Sequence, residues 1–303
     1  MSNPIIVNID EFEVSKEPLK TATKTLIYGL PKTGKSFFAG YAPRPFFLAV
    51  EKGCEAIKGA KKFYYTDDMG VKQVRVPKNW DELLRMMAVL KDKDFIAREK
   101  YATVILDSGM FVDQLIIDDI LLKDSKKHDD TGKKSQAEVL NSVGKGFMEG
   151  HQLVLRYWKE IIAWADKLNS RNIDVIVIAH AKKVKQTESD GTEYKRMEPD
   201  LNVALGGAFS VSDLLCARFD NILYIESKAQ LEKVTGYRNK EINVPVTTAV
   251  AGFNRPEIKL YTRGTNYFLA GVRSADIADV NDVYDINVFD PATCRKVWED
   301  LKK

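Results

Sequence analysis

The stretch Leu26-Ile27-Tyr28-Gly29-Leu30-Pro31-Lys32-Thr33-Gly34-Lys35-Ser36 constrains this chain more than any other. A β-prone run ends on a glycine, four residues separate that glycine from a second, and Lys-Ser follows at once. This Gly-x4-Gly-Lys-Ser spacing lets backbone N–H groups wrap a chain of phosphates while the helix behind it adds positive potential at its N-terminus. A match of this kind arises by chance in about one chain in a hundred of this length. Lys24-Thr-Leu-Ile-Tyr28 suits a strand and Ser36-Phe-Phe-Ala-Gly-Tyr41 can enter a helix, so the setting that the motif demands is present. The competing reading is an ordinary glycine-rich turn. The candidate nucleotide-binding residues are Gly29, Leu30, Pro31, Lys32, Thr33, Gly34, Lys35, Ser36 and the adjoining Phe37. Lys35 is placed to reach β- and γ-phosphates and the Ser36 hydroxyl to hold Mg²⁺, which makes ATP and Mg²⁺ the expected ligands.

With 303 residues the chain has room for a full α/β core and additions, and a formal net charge of +3 is too small to dictate a partner. A nucleic-acid surface would have to be a local patch. Cys54, Cys216 and Cys294 show neither disulfide-framework nor zinc-ligand spacing, which fits a reducing compartment. The amino terminus has no basic region leading into an apolar stretch, and no apolar run reaches the length of a membrane span. The expectation is a soluble cytoplasmic protein with no membrane partner.

Residues 1–23 alternate apolar and polar side chains and suit an N-terminal edge strand. Phe46-Phe-Leu-Ala-Val50 is the continuous apolar run of a strand buried on both faces, and it closes on Glu51. Ligands in open α/β sheets sit beyond the carboxyl ends of the strands, so Glu51 is positioned to orient or deprotonate a water near a γ-phosphate. The plainer alternative is a solvated acid opening a loop. Asn79 caps a helix with apolar residues at helical spacing. Tyr101-Ala-Thr-Val-Ile-Leu-Asp107 is an apolar run ending in an acid, the form of a Walker B strand, with Asp107 as the second metal residue beside Ser36. Gly109 to Arg171 reads as helical, broken by a polar insertion near 123–134 that should be mobile and either touches DNA or is simply solvated. Leu153, Tyr157, Trp158, Ile161, Ile162 and Trp164 fall at core-packing spacing.

Asn172-Ile-Asp-Val-Ile-Val-Ile-Ala-His180 brings His180 to the same sheet edge, as a group that feels the γ-phosphate or as a histidine bonded to a backbone carbonyl. A basic hairpin over 182–196 follows, turning at Ser-Asp-Gly. Its Lys182, Lys183, Lys185, Tyr194, Lys195 and Arg196 suit a nucleic-acid backbone and a stacked base, or else form a solvated, lysine-guarded edge. Strands are expected at Asn221–Ile225, at Val246–Ala251 and at Glu257–Arg263, the last two as antiparallel additions. Arg263 and Arg273 flank a hairpin-like turn and are either arginine fingers toward a neighbouring subunit or surface arginines. A C-terminal extension, 274–303, ends in a short helix capped at Asp290.

The loop Gly29–Ser36, Glu51 after the second strand, Asp107-Ser108 after the Walker B strand and Val-Ile-Ala-His180 before a variable hairpin together resemble phage-encoded ATPases with a minimal RecA core, over roughly residues 24–273. The resemblance implies a RecA-like P-loop NTPase fold: an α/β protein with a mostly parallel central sheet, helices on both faces and antiparallel additions at one edge. It also implies ATP hydrolysis with single-stranded DNA binding, annealing or recombination, and location in a host cytoplasm. By the same resemblance Glu51 polarises the attacking water, His180 takes the γ-phosphate-sensing place, where RecA has glutamine, and the hairpin binds DNA. Arg263 and Arg273 act across a boundary between copies in a ring or filament. A phage or host replication or recombination protein is the expected further partner. Rival readings are a helicase-like motor or loader, a nucleotide-dependent switch protein, and a small-molecule kinase.

Overall fold

The computed structural model describes residues 21–130, 140–144, 148–187, 191–202, 209–228, 231–235, 241–245, 257–273 and 280–302. The expected N-terminal edge strand lies outside them apart from residues 21–23, as does the strand expected at Val246–Ala251. The strands in chain order are β1 (Lys24–Gly29), β2 (Pro45–Ala49), β3 (Lys61–Lys62), β4 (Tyr64–Thr66), β5 (Lys72–Val74), β6 (Thr103–Asp107), β7 (Asp174–Thr187), β8 (Glu193–Pro199), β9 (Asn221–Lys228), β10 (Leu231–Thr235), β11 (Glu241–Pro245), β12 (Glu257–Tyr261), β13 (Gly271–Val272) and β14 (Val283–Ile286). The helices are α1 (Lys35–Ala39), α2 (Trp80–Leu90), α3 (Lys93–Glu99), α4 (Gly109–Asp130), α5 (Glu149–Asn169), α6 (Val211–Arg218) and α7 (Pro291–Asp300).

Ten strands form one sheet in the order β14-β12-β9-β1-β7-β6-β2-β3, with β13 also on β9 and β8 on β7. The six from β3 to β9 are parallel. β12, β13 and β14 add antiparallel at the β9 side. This is the RecA-like α/β class that the sequence suggests. One strand, β7, separates β1 from β6. Every position of β2 and β6 is buried, as strands covered on both faces require.

Because strand side chains alternate, the sheet feeds two cores. Leu26, Tyr28, Leu48, Val104, Leu106 and Val177 enter the first, with α2, α4, α5 and α6. Ile27, Phe47, Ile105, Ile176, Ile178 and Leu223 enter the second, with α1 and the carboxyl-terminal segment. In the first core α2 starts where the Asn79 side chain accepts the Glu82 amide at 2.9 Å, and Trp80, Leu83, Met86, Met87 and Leu90 make its buried face. Trp158 and Trp164 of α5 are buried as their spacing predicts. Their indole N–H groups donate to Asp113 Oδ1 at 2.6 Å and to the Met87 carbonyl at 2.8 Å.

Three expectations are corrected. The polar segment near 123–134 is not loop from its start, because α4 continues to Asp130. Lys123 ties that helix down, reaching Asp119 one turn back at 2.6 Å and the Tyr157 hydroxyl at 3.1 Å. Arg263 and Arg273 do not flank a hairpin: β13 leaves the turn to pair with β9, not with β12. An unforeseen two-stranded sheet, β10 with β11, lies between β9 and β12 in sequence. No helix among the described residues is long and apolar enough to cross a membrane.

Candidate active site at the carboxyl edge of the sheet

Strand register fixes what meets at this edge. Gly29 lies level with His180 on β7 and Ile225 on β9. Ala49, Asp107 and Ile178 form a second row across β2, β6 and β7. Glu51 and His180 therefore each stand two residues beyond the row that contains Asp107.

The loop after Gly29 closes on itself. Gly34 adopts φ 88°, a left-handed conformation that glycine tolerates, and initiates α1. Its packing is equally restrictive: a Cβ on Gly34 would lie 2.8 Å from Cγ1 of Val288, and one on Gly29 only 2.2 Å from the Ile225 carbonyl oxygen. The Thr33 hydroxyl donates to the Leu30 carbonyl at 2.9 Å. Leu30, Pro31 and Lys32 are exposed, Phe37 is half-buried, and Lys35 is buried.

Lys35 donates to the carbonyls of Gly29 at 3.0 Å and Leu30 at 2.7 Å. Burial lowers its pKa to about 8, against the opposing pull of Asp107 and Glu51. Asp107 shows the converse. Burial pushes its carboxyl up to about 6 with help from the Glu51 charge, while a hydrogen bond from the Ser36 side chain and the Lys35 charge oppose the rise. Burial and the Lys35 charge lower the His180 imidazole, with Glu51 and Asp200 opposing. Lys35, Ser36, Glu51, Asp107 and His180 thus form one electrostatically connected group. The joined Ser36 and Asp107 side chains, and an acid driven from its charged form by burial, suit a divalent cation that would restore the missing positive charge. A cavity of about 460 Å³ lined by Glu51, Pro77, Phe111 and Gln114 opens beside this group.

The remaining predicted residues divide. β7 carries His180 and continues without a break to Thr187, pairing antiparallel with β8 from Ala181↔Pro199 to Thr187↔Glu193. The basic hairpin is therefore an outward extension of a core strand, with its turn residues 188–190 outside the described set. Lys183, Lys185 and Lys195 are exposed, and Lys185 is paired with Glu193 at 2.6 Å. Lys182, Tyr194 and Arg196 alternate with them and are only half-exposed. Lys182 is held by Asp200 and Arg196 by Glu198. Arg263 meets Asp282 at 3.0 Å. Arg273 follows β13 and takes its backbone bond from Asp220, at the amino edge of the sheet, opposite the phosphate loop. Neither arginine belongs to the site of its own chain.

Sequence patterns missed two contributors. The Tyr28 hydroxyl donates to the Leu269 carbonyl at 2.6 Å, accepts the Leu269 amide at 2.8 Å and lies 3.2 Å from the Met197 carbonyl of β8. It thereby joins the strand before the loop to the hairpin. Val288 and its neighbours in the carboxyl-terminal segment are the second. A buried tyrosine and an isolated valine carry no motif, and only the contacts reveal them.

The model of a family described as an AAA domain matches residues 21–274 of this sequence. The chain belongs to that AAA domain family. As a member it is a P-loop ATPase, and the match ends just before the carboxyl-terminal segment that packs on the loop. No curated protein matches the chain. Among solved structures it is similar to a KaiC-like protein from the hyperthermophilic archaeon Pyrococcus horikoshii OT3, at 10% identity over 81% of this chain and 80% of that one, with a TM-score of 0.35.

Proposed function

We propose that this AAA domain protein is a Mg²⁺-dependent ATPase that binds single-stranded DNA and works as a homo-oligomer in annealing or recombination of the phage type. The observation that supports it is continuity: the strand that ends its core run on His180, level with Gly29, is the same strand that forms the basic hairpin.

In this reading the amides from Leu30 to Phe37 hold the phosphates, and Lys35 turns from the Gly29 and Leu30 carbonyls to the β- and γ-phosphates. Mg²⁺ between Ser36 and Asp107 supplies positive charge to the phosphate oxygens. Glu51 orients the attacking water and accepts its proton, from a position with open volume in front of it. His180, kept largely neutral by burial and Lys35, offers a hydrogen bond to the γ-phosphate. Loss of that phosphate alters the base of the hairpin directly through β7, and again through Tyr28 and Met197. Lys183, Lys185 and Lys195 give the hairpin an exposed cationic side for a DNA backbone, and Tyr194 a ring for a base. Arg263 and Arg273, remote from their own site, act only on a neighbouring copy.

ATP turnover with and without a single-stranded oligonucleotide tests this reading. Stimulation by DNA that is lost in Lys183→Ala/Lys195→Ala, with basal turnover retained, is the expected result. Turnover indifferent to DNA at low salt would refute the coupling and leave only the ATPase. Light scattering with ATP and oligonucleotide checks assembly, for which a monomer alone is the adverse outcome.

A further inference from the structure

The segment beyond the AAA domain match reaches back to the phosphate loop and presents an aromatic ring there. Val288 packs on the face of Gly34 where a Cβ would sit, and the Tyr41 hydroxyl donates to the Val288 carbonyl at 3.1 Å. Trp298 stacks on Phe38 at 4.9 Å between ring centroids, and its indole N–H donates to the Phe38 carbonyl at 3.2 Å. The segment is thus fastened to α1 on both sides of Phe289.

The turn that carries Phe289 is itself rigid. The Asn287 side chain accepts the Phe289 amide at 3.0 Å, the Thr293 hydroxyl donates to the Asn287 and Asp290 carbonyls, and Asp290 caps α7. Yet the Phe289 ring is 62% exposed. Its one ring neighbour is Phe37, at 6.1 Å and 47°, the residue that directly follows Ser36. A large apolar side chain held in place by five polar atoms around it, and left uncovered beside a phosphate loop, is built for an occupant.

We infer that Phe289, with Phe37, forms the platform on which the base of the bound nucleotide stacks, so that the carboxyl-terminal segment completes the nucleotide site. The inference rests on the phosphate loop binding a nucleotide as proposed above. The phosphates are held by amides that end at Phe37, so the ribose and base leave the loop from that end. There the two rings offer an apolar face to either side of a flat heterocycle. Stacking needs no hydrogen-bond pattern, because every base has a π-face. The platform therefore contributes affinity for nucleosides over bare phosphate chains.

Calorimetric titration of the full chain with Mg·ATP and, separately, with Mg·tripolyphosphate tests this. Phe289→Ala should weaken ATP binding about tenfold and leave tripolyphosphate affinity unchanged, since one stacked base is worth roughly a decade in affinity. Phe289→Trp should retain ATP affinity, and its added fluorescence should change with ATP but not with tripolyphosphate. The ring is mostly solvent-facing, so both variants should melt with the wild type. Equal ATP affinity in Phe289→Ala and wild type, with binding abolished in Lys35→Ala, overturns the platform while the phosphate loop stands. A wild-type chain that binds neither ligand overturns the underlying reading as well.

Discussion

One face of the central sheet is covered by α2, α4, α5 and α6; the other has only the five-residue α1 and the β14–α7 segment. The first cover falls within the AAA domain match, whereas the second depends on residues 280–302, which lie past its end. Both faces are equally dry: Trp158 and Val177 on one, and Phe38 and Phe47 on the other, are 0–1% exposed. The difference lies in what else each cover touches. The long helices fill volume away from the phosphate loop, apart from α4, which starts next to Ser108. The carboxyl-terminal segment is packed on Gly34 and Phe38, within the loop and its helix. A short helix cannot shield half a sheet, so whatever completes that face must also become a wall of the site.

Paired substitutions give the sharpest test of that contrast. Trp158→Ala and Trp298→Ala should each lose about 3–5 kcal/mol of stability, the usual range for a large buried aromatic. In binding assays on the folded fraction, Trp298→Ala should weaken ATP and tripolyphosphate alike, whereas Trp158→Ala leaves both unchanged. Equal binding by the two variants would break the comparison.

Asp113 offers a test confined to the helical face. It accepts from Trp158 and from the Asn202 amide at 2.7 Å, yet burial pushes its carboxyl up to about 6 against those hydrogen bonds. Near pH 3 the group is protonated in folded and unfolded chains alike. As the pH rises toward 6 only the unfolded chain ionises, so stability present below the ordinary value of 3.8 is lost through about 6. This group should make the fold ~3 kcal/mol less stable at pH 7.5 than at pH 3.5. Urea denaturation of wild type and Asp113→Asn at both values checks it, and identical pH dependence in the two proteins would count against the assignment. The Asn variant also places an amide N–H₂ against one of two donors, costing about 1–3 kcal/mol throughout.

Tyr28→Phe should cost about 1–2 kcal/mol by leaving the Leu269 groups unpaired, and it should reduce DNA stimulation of turnover more than basal turnover. Comparable loss of both rates would place Tyr28 in the core alone. The smallest effect concerns thiols. Burial raises the Cys54 and Cys294 thiols to about 11, and both belong to the second face. Iodoacetamide at pH 7.5 should label neither in the native chain, and Trp298→Ala should expose Cys294 first, as read by mass spectrometry. Simultaneous labelling of both cysteines would mean that the second face opens as a whole.

Local chemistry was legible in the sequence because it is written in adjacent residues. The loop between Gly29 and Ser36, the apolar strands ending at Asp107 and His180, the cap at Asn79 and the Ser-Asp-Gly hairpin each rest on spacing or periodicity. So did the use of Trp158 and Trp164 as core residues. What eluded reading depends on partners distant along the chain. The course of α4 past Lys123 is held by Tyr157 of α5, and the pairing of β13 with β9 places Arg273 at the far edge. Nothing near Val288 indicates that Gly34 is its neighbour. The hairpin lysines were read as one patch, but β-strand alternation divides them, and acids at Asp200 and Glu198 claim Lys182 and Arg196.

β7 has a mechanical consequence. From His180 to Thr187 it projects about 23 Å at the usual rise per strand residue, and β8 stiffens it along that whole length. A two-stranded ribbon anchored at one end behaves as a lever arm whose fulcrum lies among the parallel strands. A tilt of about five degrees at the fulcrum sweeps the far end by roughly 2 Å over that reach, so displacements too slight to disturb the core are magnified where the ribbon meets its surroundings.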